Sequence, residues 1–207
     1  MLLHQQFVRM AKKYGNKIAI IDKTRGTSTP YSRALIGALI LSAKFRKYDK
    51  GFIGIMIPTS AGCALANVGA LMSGRIPVMI NYSTGAESNA RYAQKKCGFK
   101  TIITSKALLE KINCPVIEGM VLIEDIMAGI STGDKLKAAL MSKLPLNFIL
   151  GNIHKGDKDD TAVILFTSGS EKDPKAVQLT HKNIIANIES FGNYVDINSE
   201  DVILANL

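Results

Sequence analysis

Residues Phe52 to Ile80 read FIGIMIPTSAGCALANVGALMSGRIPVMI. The stretch opens on a nearly unbroken apolar run, Phe52 to Ile57, and closes on another, Ile76 to Ile80. Short runs without polar alternation suit strands covered on both faces. Between them, Ser60 to Ser73 is rich in Ala and Gly, so a helix there can lie close against a sheet. Ser60 is placed to cap its first turn and Gly74 to end it. Strand, helix, strand in immediate succession is the parallel crossover unit, and it decides the fold class as α/β.

Working outward, the same signature repeats. Lys17 to Asp22 (KIAIID), Lys100 to Ser105 (KTIITS) and Ala162 to Thr167 (AVILFT) read as further strands, and Thr29 to Tyr48, Thr84 to Lys96 and Asp134 to Leu144 as helices. The expectation is a layered fold, a mostly parallel sheet covered by helices. Gly151 to Asp160 (GNIHKGDKDD) is polar and aperiodic and reads as a linker. That divides the chain into an α/β subdomain over 1–150, a linker over 151–160, and the start of a second subdomain over 161–207.

Composition excludes several classes. Among 207 residues, 47% are hydrophobic and 21% charged, which fits a packed globule and rules out disorder or a collagen-like repeat. Cys63, Cys97 and Cys114 are widely spaced with no CxxC, which fits neither a zinc site nor a disulfide framework. The apolar run Ala34 to Ala43 is too short to cross a bilayer, which takes about 20 residues. Arg9, Lys12, Lys13 and Lys17 interrupt any signal-peptide core, so the reading is cytoplasmic, with binding at a membrane surface left open.

The net charge of +9 is localised. Residues 1–50 hold eleven Lys and Arg against Asp22 and Asp49, while the other 157 residues balance at fifteen of each sign. Such a patch suits nucleic acid, anionic lipid or an acidic protein. It equally suits a solvated helical face, with Lys44, Arg46 and Lys47 closing a helix at its negative dipole end. Aromatic residues are not interleaved with these charges in the manner of a base-stacking surface and no zinc-finger or RNA-recognition motif is present, so no nucleic-acid partner is expected.

Chemistry concentrates after the linker. Gly151 and Gly156 have the spacing of a Walker loop but lack the following Lys-Ser/Thr, and no GxGxxG occurs. The strand AVILFT runs into TSGSEKDPK, Thr167 to Lys175, followed by a half-buried strand, Ala176 to Thr180, and a helix from His181 to about Phe191 with Thr180 as its cap. Hydroxyls of Thr167, Ser168 and Ser170, with amides around Gly169, would offer converging donors to phosphate oxygens. Lys175, set by Pro174, would add a point charge. Since the loop leads into a strand, no helix N-terminus supplies donors. The same composition also describes an ordinary surface turn.

The residues AVILFTSGSEKDPKAVQLTH resemble the phosphate-loop signature of the adenylate-forming (AMP-binding) superfamily, and the upstream order KIAIID, TPYSRAL, FIGIMIPTSAGCALANVGALMSGRIPVMIN is similar to the first half of those enzymes. Glu171 and the segment NYSTG, Asn81 to Gly85, most resemble the branch formed by the acyl-acyl-carrier-protein synthetase part of bifunctional 2-acylglycerophosphoethanolamine acyltransferases. Two positions depart from the signature, Lys172 and Ala176, where the superfamily carries small residues.

The resemblance implies an ATP-dependent ligase. A fatty carboxylate would attack the α-phosphate of ATP, and the thiol of an acyl carrier protein or CoA would then displace AMP. It implies cofactor-binding roles for Thr167, Ser168, Gly169, Ser170, Glu171 and Lys175, magnesium with the nucleotide, and Glu171 as a candidate to place that metal. It further implies a lysophospholipid acyltransferase domain and an anionic inner-membrane surface as partners. The adenine- and ribose-binding motifs and the C-terminal catalytic lysine of the superfamily lie outside these 207 residues, so the chain alone is expected to be an inactive N-terminal fragment, with Asp201 to Asn206 (DVILAN) as a strand. The competing readings are a non-catalytic interaction domain and a basic nucleic-acid-binding module. Of the remaining candidates, His181 reads as a packing residue in a first helical turn, His4 and His154 as lacking any partner at ligand spacing, and Cys63 as inert core.

Overall fold

In the computed structural model, which describes residues 1–167, 174–198 and 200–205, the chain begins with α1 (Leu3–Tyr14), β1 (Ile18–Asp22), β2 (Thr27–Pro30) and α2 (Tyr31–Phe45). The unit that decides the fold follows as β3 (Gly51–Met56), α3 (Ala61–Met72) and β4 (Arg75–Met79). Then come α4 (Ala86–Cys97), β5 (Ile102–Thr104), α5 (Lys106–Lys111), β6 (Met120–Leu122), α6 (Ile123–Ala128), α7 (Thr132–Lys143) and α8 (Leu146–Asn152). A hairpin of β7 (Thr161–Phe166) and β8 (Ala176–Thr180) leads into α9 (His181–Tyr194).

The main sheet has the order β6-β5-β3-β4-β7-β8, every pairing parallel except β7 with β8. The expected α/β fold with a mostly parallel, helix-covered sheet is therefore present. Strand β3 shows why its run is unbroken: Ile53 and Ile55 pack with α2 and α3, whereas Met56 packs with α4 on the opposite face. A Cβ on Gly54 would lie 2.8 Å from Phe99 and 2.9 Å from Ile102, so only glycine lets that layer close. Ser60 caps α3 as expected, its hydroxyl accepting from the Cys63 amide at 3.2 Å. The buried carboxylate of Asp22 accepts from the Ala61 amide at 3.1 Å, so a side chain from β1 already occupies the positive end of α3.

Several expectations are corrected. Thr29 does not open a helix; Thr27–Pro30 pairs antiparallel with β1, and α2 starts at Tyr31 once Pro30 has set an extended φ of −71°. Residues 151–160 are docked rather than loose. Gly151 and Asn152 finish α8, Ile153 is buried, and the His154 amide donates to the Met72 carbonyl at 2.9 Å. The sheet also continues across that segment, since β7 joins β4. Asp201 to Ala205 carry no strand, because no neighbouring backbone among the described residues pairs with them, and Asn206 lies outside those residues.

Candidate functional site

Because β3, β4 and β7 run parallel, their carboxyl ends share one edge of the sheet. Around β3 and β4 the following helices depart to opposite faces, α3 to one and α4 to the other. That divergence is where open α/β sheets form ligand crevices. Strand β7 ends at Phe166 on this same edge, next to β4, which the Asn81–Gly85 turn follows. That turn is tied down by the Asn81 carboxamide, which accepts from the Ser83 amide at 2.9 Å, and by Asn89, which donates to the carbonyls of Asn81 and Thr84.

The neck of the β7–β8 loop is closed by a reciprocal pair of bonds. The Thr167 amide donates to the Lys175 carbonyl at 3.0 Å, and the Lys175 amide donates to the Thr167 hydroxyl oxygen at 3.1 Å. The Thr167 hydroxyl keeps its proton for an incoming acceptor, and both residues are exposed. Two of the sequence-derived site residues are thus brought together. Ser168, Gly169, Ser170 and Glu171, with the departure Lys172, lie outside the described residues.

A residue that sequence reasoning missed holds both flanks of this loop. Tyr92 of α4 donates its hydroxyl proton to the Pro174 carbonyl at 2.9 Å, and its ring stands edge-on to Phe166 with centroids 5.9 Å apart. The helix is fixed to the sheet by Ala86, Ala90 and Ala93, all buried, so Tyr92 sits on a rigid support. Its only signal in the sequence was a tyrosine in an otherwise polar helix.

Among the described residues no group of three or more His, Cys, Asp and Glu converges in a way that could hold a metal. The loop neck presents the Thr167 hydroxyl proton, a donor that suits a phosphate oxygen, while the Thr167 and Lys175 amides are spent on closing the neck. Magnesium here would arrive on the nucleotide's own phosphates. The cysteines are free, and burial pushes the Cys63 thiol up, as suits a core residue.

Three of the basic residues of the N-terminal region are engaged within the molecule. Lys44 Nζ pairs with Asp134 at 2.7 Å and donates to the Gly129 carbonyl, Arg46 donates to the Asn152 carbonyl at 2.8 Å, and Lys12 donates to the Ser142 and Lys143 carbonyls at the end of α7. These three charges brace helices.

The histidines take part in packing. His4, His154 and His181 meet, with the His4 ring 6.1 Å from that of His154 and 5.7 Å from that of His181. His4 Nε2 donates to the His154 carbonyl at 3.0 Å, and His181 Nδ1 accepts from the Leu3 amide at 3.2 Å. Burial lowers the His4 pKa to about 4 and also lowers that of His181, so both rings are neutral fasteners joining α1, segment 153–160 and α9. His181 is the buried first residue of α9, the packing role expected for it.

Comparison with known proteins places this fold: the family described as AMP-binding enzyme matches residues 7–207, and the chain belongs to that family. It is 43% identical over 51 residues to the long-chain-fatty-acid–[acyl-carrier-protein] ligase AEE15 of Arabidopsis thaliana, a match covering 25% of this chain and 7% of that protein. Over 194 residues it is 27% identical to 4-coumarate–CoA ligase 2 of Petroselinum crispum, covering 90% of this chain and 34% of that one. The AMPPNP-bound form of the nonribosomal peptide synthetase FmoA3 superposes with a TM-score of 0.74 at 17% identity, over 97% of this chain and 19% of that structure. The chain thus spans about a third or less of the length of these relatives.

Proposed function

We propose that this chain supplies the phosphate-binding part of an ATP-dependent ligase that converts a fatty acid to its acyl-adenylate and then to a thioester. The carrying observation is the loop closed by Thr167 and Lys175 at the carboxyl edge of the sheet, in a chain that matches the AMP-binding family over nearly its whole length. In the first step a carboxylate oxygen bonds to the α-phosphorus of ATP while the bond to the β-phosphate bridge breaks, releasing pyrophosphate. In the second, a thiolate attacks the acyl carbon and AMP leaves. Thr167 and Lys175 act on the first step. They hold the β- and γ-phosphates in place as negative charge builds on the leaving group, a positioning and electrostatic role.

A long-chain fatty acid as substrate and acyl carrier protein as acceptor are favoured by the local 43% identity to the carrier-protein ligase, while the longer match to a CoA ligase keeps CoA as the second candidate acceptor. On the resemblance of NYSTG and Glu171, the product thioester would feed reacylation of 2-acylglycerophosphoethanolamine by a partnered acyltransferase in the bacterial cytoplasm, at the inner membrane. The 207 residues alone are proposed to be inactive. Hydroxylamine trapping tests the reading: protein expressed from its complete reading frame should yield fatty hydroxamate only when ATP is present. ATP-independent or absent hydroxamate, across fatty, aryl and amino acids, would favour an interaction domain of the same fold.

A further inference from the structure

One side chain governs the turn between β4 and α4. The Asn89 carboxamide spends both of its protons there, donating to the Asn81 carbonyl at 3.0 Å and to the Thr84 carbonyl at 2.7 Å. The Asn81 carboxamide oxygen accepts from the Ser83 amide at 2.9 Å and from the Ser83 hydroxyl at 2.7 Å. Gly85, at a φ of 64°, then reverses the chain into α4, where the Asn89 amide donates to the Gly85 carbonyl at 2.9 Å. The carbonyls of Asn81 and Thr84 are therefore drawn onto α4, while Ser83 and Thr84 stay exposed.

Sheet register sets this turn level with the start of the β7–β8 loop. Val78 of β4 lies beside Ile164 of β7 in a parallel pair. Counting on by three residues in each chain brings Asn81 level with Thr167. Tyr92 follows Asn89 by three residues on α4, the spacing at which side chains are neighbours on a helix surface. Its hydroxyl holds the Pro174 carbonyl and its ring meets Phe166. One side of one helix thus holds both the turn after β4 and the two flanks of the loop after β7.

We propose that Asn89 is a positioning residue of the nucleotide site, acting through the Asn81–Gly85 turn. The proposal rests on the ligase reading, in which the neighbouring loop holds the β- and γ-phosphates of ATP. A carbonyl oxygen is the negative end of the peptide dipole, so a carbonyl turned towards a polyphosphate opposes its binding, whereas amides and hydroxyls favour it. By keeping two carbonyls on α4, Asn89 leaves the turn to border the phosphates without that repulsion. Asn89 itself touches no phosphate. Freed of it, both carbonyls can swing towards the loop, and ATP binds less tightly.

The ATP dependence of acid-dependent pyrophosphate exchange, measured on protein from the complete reading frame, tests the proposal. Asn89→Leu removes both donors, and Asn89→Asp, nearly the same in shape, sets a carboxylate against the two carbonyls. Each is expected to raise the KM for ATP about tenfold while leaving kcat and the KM for the fatty acid unchanged. Asn89→Gln keeps both donors and should stay nearer the native KM than either. Melting curves establish that each variant is folded at the assay temperature. An unchanged KM for ATP in folded Asn89→Leu and Asn89→Asp would overturn the proposal. So would a fall in kcat, or a joint rise of both KM values, that tracks a lowered melting temperature, since that marks a bond serving the fold alone. Native protein lacking acid-dependent exchange would overturn the ligase reading and this proposal together, whereas a native enzyme whose Asn89 variants keep its KM for ATP sinks the proposal alone.

Discussion

Tyr92 reaches across 82 residues of sequence to donate its hydroxyl proton to the Pro174 carbonyl at 2.9 Å, tying α4 to the loop that follows β7. The bond makes the position of the loop's far strand depend on a helix packed on the sheet by three buried alanines. Tyr92→Phe keeps the ring against Phe166 and removes only this bond. The expected loss of stability is about 1 kcal/mol, read by urea denaturation. A several-fold rise in the KM for ATP with the KM for the acid unchanged, measured on the complete reading frame, would separate positioning of the loop from general destabilisation.

Acid should loosen the histidine fastening. His4 and His181 both hold fewer protons folded than unfolded, because burial disfavours their charged forms. Asp160 opposes the shift at His181, while His154 and the N-terminal amine add to it. Stability is therefore complete above the ordinary imidazole pKa and declines as pH falls from about 6.5 toward about 4, where folded His4 also protonates. On the order of 3 kcal/mol from His4 alone is at stake. Thermal melts across this range should show the decline, and His4→Leu should flatten it.

Two glycines in helices should respond in opposite directions. A Cβ on Gly69 would sit 2.8 Å from Leu41 Cβ, at the close approach of α2 and α3, so Gly69→Ala should cost about 1–3 kcal/mol. Gly192 in α9 has nothing within 4 Å of its missing Cβ. There Gly192→Ala should stabilise by about 0.5–1 kcal/mol, through helix propensity alone. Denaturant midpoints of the two variants check both signs.

Arg75 joins the C-terminal ends of α2 and α3. It donates to the carbonyls of Ser73 at 2.6 Å, Tyr48 at 2.7 Å and Arg46 at 3.1 Å, and only 6% of it is exposed. Arg75→Met fills much of the same volume but leaves those carbonyls without their donor, and a loss of roughly 3 kcal/mol or more is expected in denaturant unfolding.

What the sequence revealed follows from which forces are local. The β3–α3–β4 unit, β5, β7, β8 and α9 announced themselves through short apolar runs and through caps, as at Ser60 and Thr180, that act within three residues. Strand β2 did not, because TSTP has no apolar pattern and owes its shape to pairing with β1. Three-residue β6 is too short to carry a period. Helical spacing in α7 was visible, but which face it buries was not: its leucines point outward and Ala138 packs inward. Thr167 and Lys175, which close the neck of the β7–β8 loop, are two of the residues the motif singled out. The Tyr92 bond and the meeting of His4, His154 and His181 arise from tertiary folding and leave no trace in local spacing.

Acid-dependent exchange of labelled pyrophosphate into ATP, measured on protein from the complete reading frame, tests the central assignment most directly. Exchange should appear with a long-chain fatty acid, and Lys175→Ala should reduce it by about a hundredfold or more while leaving the melting temperature unchanged. Absence of exchange with every carboxylic acid tried, in folded protein, or exchange indifferent to Lys175→Ala, would contradict the assignment of this loop as the phosphate site.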